Sequence, residues 1–449
     1  MTSRTGLFVT ILAAPLMLSA QATPSETVLT AFKAVHEHDW AGLARLVDPE
    51  RLEQFRRDEL GMLLEWARRR EEIEASVRAG RGYGMNRDTL TPEAIAAVAN
   101  VPVATFRNTP TFGHLAALTP GQFFVEWCIA SEHRSGNLHR ASNRIDYQRE
   151  VVGTIVVDDS MAYVIYRQEM RTISDNVLYI DQPGEAHVMP LKRAAGNWLL
   201  LLNQEDIVGH MSFPDVLPIP AFRDVPAWDH SRVPTEKRVR PALPQLPPGS
   251  APARRSASTV AAAAFDAVEQ GNWKALAALV HPNTLTEFRE RQLQFVVMWV
   301  NTRADRLQAT KEGVQMFMWS MDTLTDEMIK TVADVPLPVF ADSVTVGQLA
   351  AMSPADFFVK YCEAVYADDE FRVSDVADGQ HRRILGEIPE GETLAHVLYA
   401  PRPGYRFTDP WKVMRMPIMR TGDDWGILLN DDIVPPVLSL RLMGTENPE

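Results

Sequence analysis

AFKAVHEHDWAGLARLV, residues 31–47, returns as AFDAVEQGNWKALAALV, residues 264–280. The match keeps its order over most of each half: Phe32, Trp40, Phe55 and Trp66 recur 233 positions later as Phe265, Trp273, Phe288 and Trp299. Self-similarity at a fixed offset marks a structural unit used twice, here a unit of about 185 residues in tandem. The duplication also supplies an internal comparison. Residues alike in both copies are those the shared fold needs, and residues unlike are free to serve one copy alone.

Outward from that stretch, Ala31, Phe32, Val35, Leu43, Leu46 and Val47 are spaced for helical faces. Asp48-Pro49 and His281-Pro282 place Pro in the first turn of a third helix, which runs to Arg68–Arg70 in one copy and to the neighbourhood of Arg306 in the other. A second shared block follows at an offset of 234 and ends in LAALTPGQFFVEWC (115–128) and LAAMSPADFFVKYC (349–362). Thr119-Pro120 with Gln122, and more loosely Ser353-Pro354 with Asp356, combine an N-cap, a first-turn Pro and a capping-box partner, so a helix starts at each. The last third of each copy turns to Val, Ile, Tyr, Leu and Met. These runs lie near 149–157, 161–172, 185–194 and 198–203, and near 382–388, 393–400, 411–420 and 424–430. They succeed one another without helical crossovers, which predicts an antiparallel sheet.

Ten Pro between Pro214 and Pro252 predict an extended, semi-rigid linker. At the N-terminus, Arg4 precedes an apolar run from Leu7 to Leu18 and the small-x-small triplet Ala20-Gln21-Ala22, the pattern of an export signal. The run falls short of the ~20 apolar residues that span a bilayer. The expected division is a signal peptide at 1–22, repeat domain 1 at 23–210, a Pro-rich linker at 211–257 and repeat domain 2 at 258–449. The mature chain is expected to be exported, periplasmic or extracellular, with no stable membrane insertion after cleavage.

Composition is globular, 46% hydrophobic and 23% charged, and the net charge is −13. Residues 23–210 carry −6 and residues 258–449 carry −11, which argues against nucleic acid as a partner, since phosphate contacts need clustered Lys and Arg. Cys128 and Cys362 hold the same place in the two copies, each in an apolar helical stretch. A disulfide needs Cα atoms within about 7 Å, so two buried free thiols are the expected state.

Helices opening with AF-AV-x-x-x-x-W-x-x-LA-x-LV, followed by consecutive strands closing on a Trp-containing hairpin, resemble the nuclear transport factor 2-like superfamily, and more narrowly its bacterial exported domains of unassigned role. Phe32, Trp40, Leu43, Val47, Met189-Pro190 and Trp198 carry the resemblance in the first copy. Phe265, Trp273, Leu276, Val280, Met416-Pro417 and Trp425 carry it in the second. It implies an α+β cone in each repeat, helices packed on a curved antiparallel sheet with an apolar pocket at the wide end. Some members use that pocket for catalysis; others bind ligands there or use the sheet for protein contacts. Residues 80–145 and 313–381 depart from the pattern.

No nucleotide-binding Gly-rich loop, nucleophile elbow or zinc-ligand spacing occurs, so no cofactor and no metal are expected. His133 and His139, beside Arg134 and Arg140, read as a solvated loop. Acid–base chemistry needs a base held in an apolar pocket. The candidates are His396, where LAHVLYA replaces the MAYVIYR of the first copy, and Asp322, which matches Asp88 and suits a cap or turn equally well. Residues expected to line a ligand pocket are Trp66, Tyr163, Tyr166, Trp299, Met318, His396 and Tyr399. Strand alternation puts Tyr163 and His396 on one sheet face and Tyr166 and Tyr399 on the other. Arg149 and Arg382 precede the tyrosine strands, placed either to orient an anion or to pack across strands.

The repeated positions are apolar, aromatic or turn residues, and no polar constellation repeats. The expected function is therefore non-catalytic binding of a small apolar ligand or a protein partner. The alternatives are an isomerase- or dehydratase-type acid–base enzyme using the pocket of repeat 2, and a scaffolding module whose repeats hold each other. Sealed interiors in both halves favour the scaffold.

Overall fold

A computed structural model describes residues 22–78, 89–138, 145–172, 178–180, 186–202, 246, 252–302, 324–340, 344–366, 382–400 and 413–429. The expected signal peptide, most of the linker, and Asp88, His139, Met318 and Asp322 lie outside these residues.

The first half runs α1 (Pro24–His36), α2 (Trp40–Leu46), α3 (Pro49–Arg78), α4 (Pro92–Val98), α5 (Phe112–Ala117) and α6 (Pro120–Leu138). Strands β1 (Ile145–Val156), β2 (Met161–Thr172), β3 (Leu178–Ile180), β4 (His187–Ala194) and β5 (Asn197–Leu200) follow. The second half repeats the order with α7 (Ala257–Glu269), α8 (Trp273–Leu279), α9 (Pro282–Asn301), α10 (Asp326–Val332), α11 (Val346–Ala351) and α12 (Pro354–Val365). Its strands are β6 (Arg383–Glu390), β7 (Leu394–Ala400), β8 (Met414–Thr421) and β9 (Asp424–Ile427). The protein is thus an α+β tandem repeat.

The same chemistry starts equivalent helices. Asp39 caps α2 and Asn272 caps α8; Thr91 and Thr325 cap α4 and α10; Thr111 and Thr345 cap α5 and α11. Each side-chain oxygen accepts an otherwise orphan first-turn N–H, worth about 1 kcal/mol. The expected capping box at α6 is present: Gln122 N–H donates to Thr119 Oγ1 (3.3 Å) and Thr119 N–H to Gln122 Oε1 (3.1 Å). Helix α3 outlasts the expected end at Arg68–Arg70 and instead bends there. Arg69 leaves helical geometry while bridging Glu65 (2.7 Å) and Glu72 (2.8 Å) across the kink.

Each sheet is an antiparallel meander, in the order β1-β2-β4-β5 with β3 added on β2, and β6-β7-β8-β9. A bulge interrupts the first ladder of each at the same place, between Val151 and Gly153 and between Ile384 and Gly386. The β4–β5 hairpin turns through Ala195 (φ 49°) and Gly196 (φ 84°), and β8–β9 through Gly422 (φ 62°). Val47 bridges Leu200 and Val280 bridges Ile427, tying the end of the second helix to the last strand in both halves. The stretches that depart from the superfamily pattern hold α4 and α5, and α10 and α11, each pair closed by a Pro–Thr bridge, Pro102 to Thr111 and Pro336 to Thr345.

Alternation along the central strands defines the layers. Ala162, Val164 and Tyr166 of β2 join the core beneath the first helices, and Ala395, Val397 and Tyr399 of β7 do so beneath the second. The residues between them face the other way, and Tyr163, Ile165, Ile388 and Leu398 pack into a third cluster shared by both halves. Each sheet is covered by its own helices on one face and by the other sheet on the opposite face. Burial on both faces is why β2 and β7 read as nearly continuous apolar runs instead of alternating with polar residues.

Cys128 and Cys362 are both buried and not joined in a disulfide, as expected for equivalent core positions of two halves. Burial pushes the Cys362 thiol up, so it behaves as a small hydrophobe. No helix among the described residues is long and apolar enough to cross a membrane.

Candidate functional site

His396 sits on β7 at 0% exposure, on the face turned toward the other half. The β6–β7 hairpin, turning through Gly391 at φ 66°, sets it diagonally across from Glu390, and its ring Nε2 lies 2.7 Å from Glu390 Oε2. From β2 of the first half, Arg167 closes on the same carboxylate with a two-pronged grip, Nε to Oε1 and Nη2 to Oε2, both 2.6 Å. Arg415 of β8 reaches the remaining ring nitrogen, with Nη1 3.3 Å from Nδ1. Strand period turns all four toward the seam between the two sheets: Arg415 pairs with Leu398, and Arg167 is two residues beyond Ile165 on the facing sheet.

The electrostatics agree with this wiring. Burial alone would raise the Glu390 carboxyl, but the hydrogen bonds from His396 and Arg167 and the Arg167 charge outweigh it and bring it to about 2. Burial, with the positive charges of Arg415 and Arg167, lowers His396 below its usual range despite the pull of Glu390. The ring is therefore neutral at pH 7. Its Nε2–H donates to Glu390 and its Nδ1 lone pair accepts from Arg415, the one tautomer that satisfies both contacts.

The other expected site residues are placed apart from this cluster. Tyr163, the counterpart of His396, lies in the apolar cluster between the sheets, and burial pushes its phenol up despite the nearby charge of Arg383. Tyr166 and Tyr399 face their own helices, 4.9 Å from the ring of Phe32 and 4.8 Å from that of Phe265. Arg149 and Arg382 cover those Phe rings at 5.3 and 5.1 Å, and Arg149 donates to Gln168 directly across the ladder at 2.9 Å. These are cross-strand packing roles. Trp66 and Trp299 are buried in the two helical cores.

Arg167, Glu390 and Arg415 were not singled out from sequence, yet the signal for two was present. MAYVIYR and LAHVLYA differ at their last letter, Arg167 against Ala400. Glu390 likewise answers Val157 at the shared offset. A further copy-specific pair lies in the first helical core, where the Trp127 indole donates to Glu59 Oε2 at 3.1 Å with both side chains buried. The second half has Tyr361 and Gln292 there.

A general base needs a free lone pair within reach of a substrate proton. In the cluster both ring nitrogens of His396 are engaged by protein groups, and the ring has no exposed surface. The arrangement holds two sheets together and fixes their register. Among the described residues no three His, Cys, Asp or Glu converge on a point that would hold a metal ion. Fold and site together define a tandem α+β repeat protein with a polar lock between its sheets. Compared with known proteins, the chain matches no protein-family model, no curated protein and no solved structure.

Proposed function

We propose that this chain is an exported, non-catalytic scaffold that presents two cone-like units of the nuclear transport factor 2-like type, bound to each other, to a protein partner. The observation that carries this reading is the use made of His396: the strand histidine the sequence offered for acid–base work is sealed between the sheets with both nitrogens occupied. The helix-facing interiors support it too. Tyr166, Trp127, Tyr361 and Tyr399 fill them as packed core residues, the condition that favours mutual support of the repeats over a ligand pocket. The export signal, the cone shape and the extended linker belong to this proposal and rest on the sequence patterns given above.

Native mass spectrometry of the mature protein, taken from the cells that make it, tests the reading. It expects the polypeptide mass alone or with a second polypeptide attached. A small apolar molecule that travels with the protein and is lost in Tyr166→Ala or Tyr399→Ala would overturn it in favour of ligand binding.

A further inference from the structure

The two halves meet as two copies of one protein meet across a twofold axis. A Cβ added to Gly153 would lie 2.6 Å from Cγ2 of Ile388, and one added to Gly386 would lie 3.1 Å from Cδ1 of Ile155. Gly153 and Gly386 are the bulge residues of equivalent strands, and Ile155 and Ile388 are equivalent to each other at the same offset of 233. Residue i thus touches j of the other copy while j touches i, the signature of an isologous interface. Ile165 and Leu398, also equivalent, both lie in the apolar cluster between the sheets.

The symmetry fails at one end only. Arg167, Glu390, His396 and Arg415 form the polar cluster, whereas their counterparts are Ala400, Val157, Tyr163 and Val188, the last aligned through Met189-Pro190 and Met416-Pro417. Val157, Tyr163 and Val188 belong to the apolar cluster. One end of the interface is therefore charged and the other apolar, although the backbones that carry them match.

We infer that this one-sided cluster selects the partner: it makes the sheet face of each repeat bind the other repeat of the chain and reject a second copy of itself. Pairing repeat 1 with repeat 1 would set Arg167 against Val157 at both ends and take the two-pronged Glu390 carboxylate from both buried guanidinium groups. Pairing repeat 2 with repeat 2 would set Glu390 against Ala400 at both ends and remove its two-pronged partner. A buried charge stripped of its partner is far more costly than an apolar contact of the same size, so both homotypic pairs are disfavoured.

The test uses the full chain with a protease site introduced between Trp228 and Pro247, cut after purification. Isotope-labelled and unlabelled cut proteins are mixed, and the pairs are weighed by native mass spectrometry. The expected result is that the halves stay together and that only repeat 1–repeat 2 pairs form. In the variant R167A/E390V/H396Y/R415V, which writes the apolar end onto the polar one, homotypic pairs should rise to a substantial share. Cut wild-type halves that separate, or that already form homotypic pairs as freely as the variant, overturn the inference. Should the fourfold variant fail to fold, R167M alone is read by the rate at which labelled halves exchange. An increase on the order of 100-fold is expected for loss of one partner of a buried pair, and an unchanged rate overturns the inference.

Discussion

Inside each half the two copies agree closely, whereas on the face between the halves they have parted. The ring of Phe55 lies 5.0 Å from Trp127 in one core, and Phe288 lies 4.9 Å from Tyr361 in the other. The Phe–Tyr contacts beneath the first helices, 4.9 and 4.8 Å, agree as well. Between the sheets, by contrast, a histidine stands for a tyrosine and a glutamate for a valine. A helix–sheet core is filled from all sides, so its side chains are fixed by volume. The inter-sheet face brings two different chains of side chains to one seam, and each copy can specialise so long as the other answers.

The largest effect is expected where that answer is removed. Arg167→Ala leaves the half-buried Glu390 carboxylate with only His396 for support and should cost about 2–3 kcal/mol in urea unfolding, below the full cost of breaking a sealed pair. Arg149→Ala, which removes a cation from a Phe face and one cross-strand hydrogen bond, should cost nearer 1 kcal/mol. Equal losses would mean that the seam is no more specialised than the cores, and the contrast would fail.

Acidification attacks the same end of the seam. His396 is held below the 6.5 of a free imidazole, so the unfolded chain takes up a proton that the folded one refuses as pH falls below 6.5. Glu390 is held at about 2 against 4.5, so the stability it contributes is present above 4.5 and lost as pH falls toward 2. Both act in one direction, and stability rises with pH across this range. Thermal melts should show loss beginning below 6.5 in the wild type and a smaller loss there in His396→Gln, where buried His281, also held below 6.5, keeps its own share. Tyr163 at the apolar end, its phenol raised above 10, should leave the acid limb untouched: Tyr163→Phe should melt with the wild-type profile below neutral pH.

Much of the architecture was legible because apolar spacing and capping chemistry are local. Thr119-Pro120-Gly121-Gln122 announces a helix wherever it occurs, and runs such as MAYVIYR announce strands. The duplication repeats every described element except β3, which has no counterpart among the described residues of the second half. What the sequence concealed was the neighbour across the seam. Glu390 and Arg167 are 223 positions apart, and no local rule pairs them. The export signal, Met318 and Asp322 lie outside the described residues. His396 was legible as a divergent residue, and strand alternation put it on the correct face. Its burial followed from the second sheet, which only the tertiary arrangement supplies.

The bulge glycines sharpen the comparison at the point where the seam is closest to symmetric. Gly153→Ala places a methyl 2.6 Å from a branch carbon of Ile388, which is buried and has little room to turn, so a cost of about 1–3 kcal/mol is expected. Gly386→Ala meets the tip of half-buried Ile155 at 3.1 Å, and that flexible end can give by a few tenths of an ångström. Its cost should be well under that of Gly153→Ala by chemical denaturation. The reverse order would show that the reciprocal contacts are tighter on the other side.

Glu59→Gln probes the converse case, a divergence inside a core. The carboxylate accepts the Trp127 indole N–H at 3.1 Å, and an amide oxygen of nearly the same shape can accept it equally well. The second half already holds Gln292 at this position, packed in the equivalent core, so the fold tolerates the amide there. A change within about 0.5 kcal/mol is therefore expected, the range of substitutions that keep the hydrogen bond they inherit. A loss several times larger would mean that the charge of Glu59 is needed where it stands. The first core, and not only the seam, would then have taken on a task of its own.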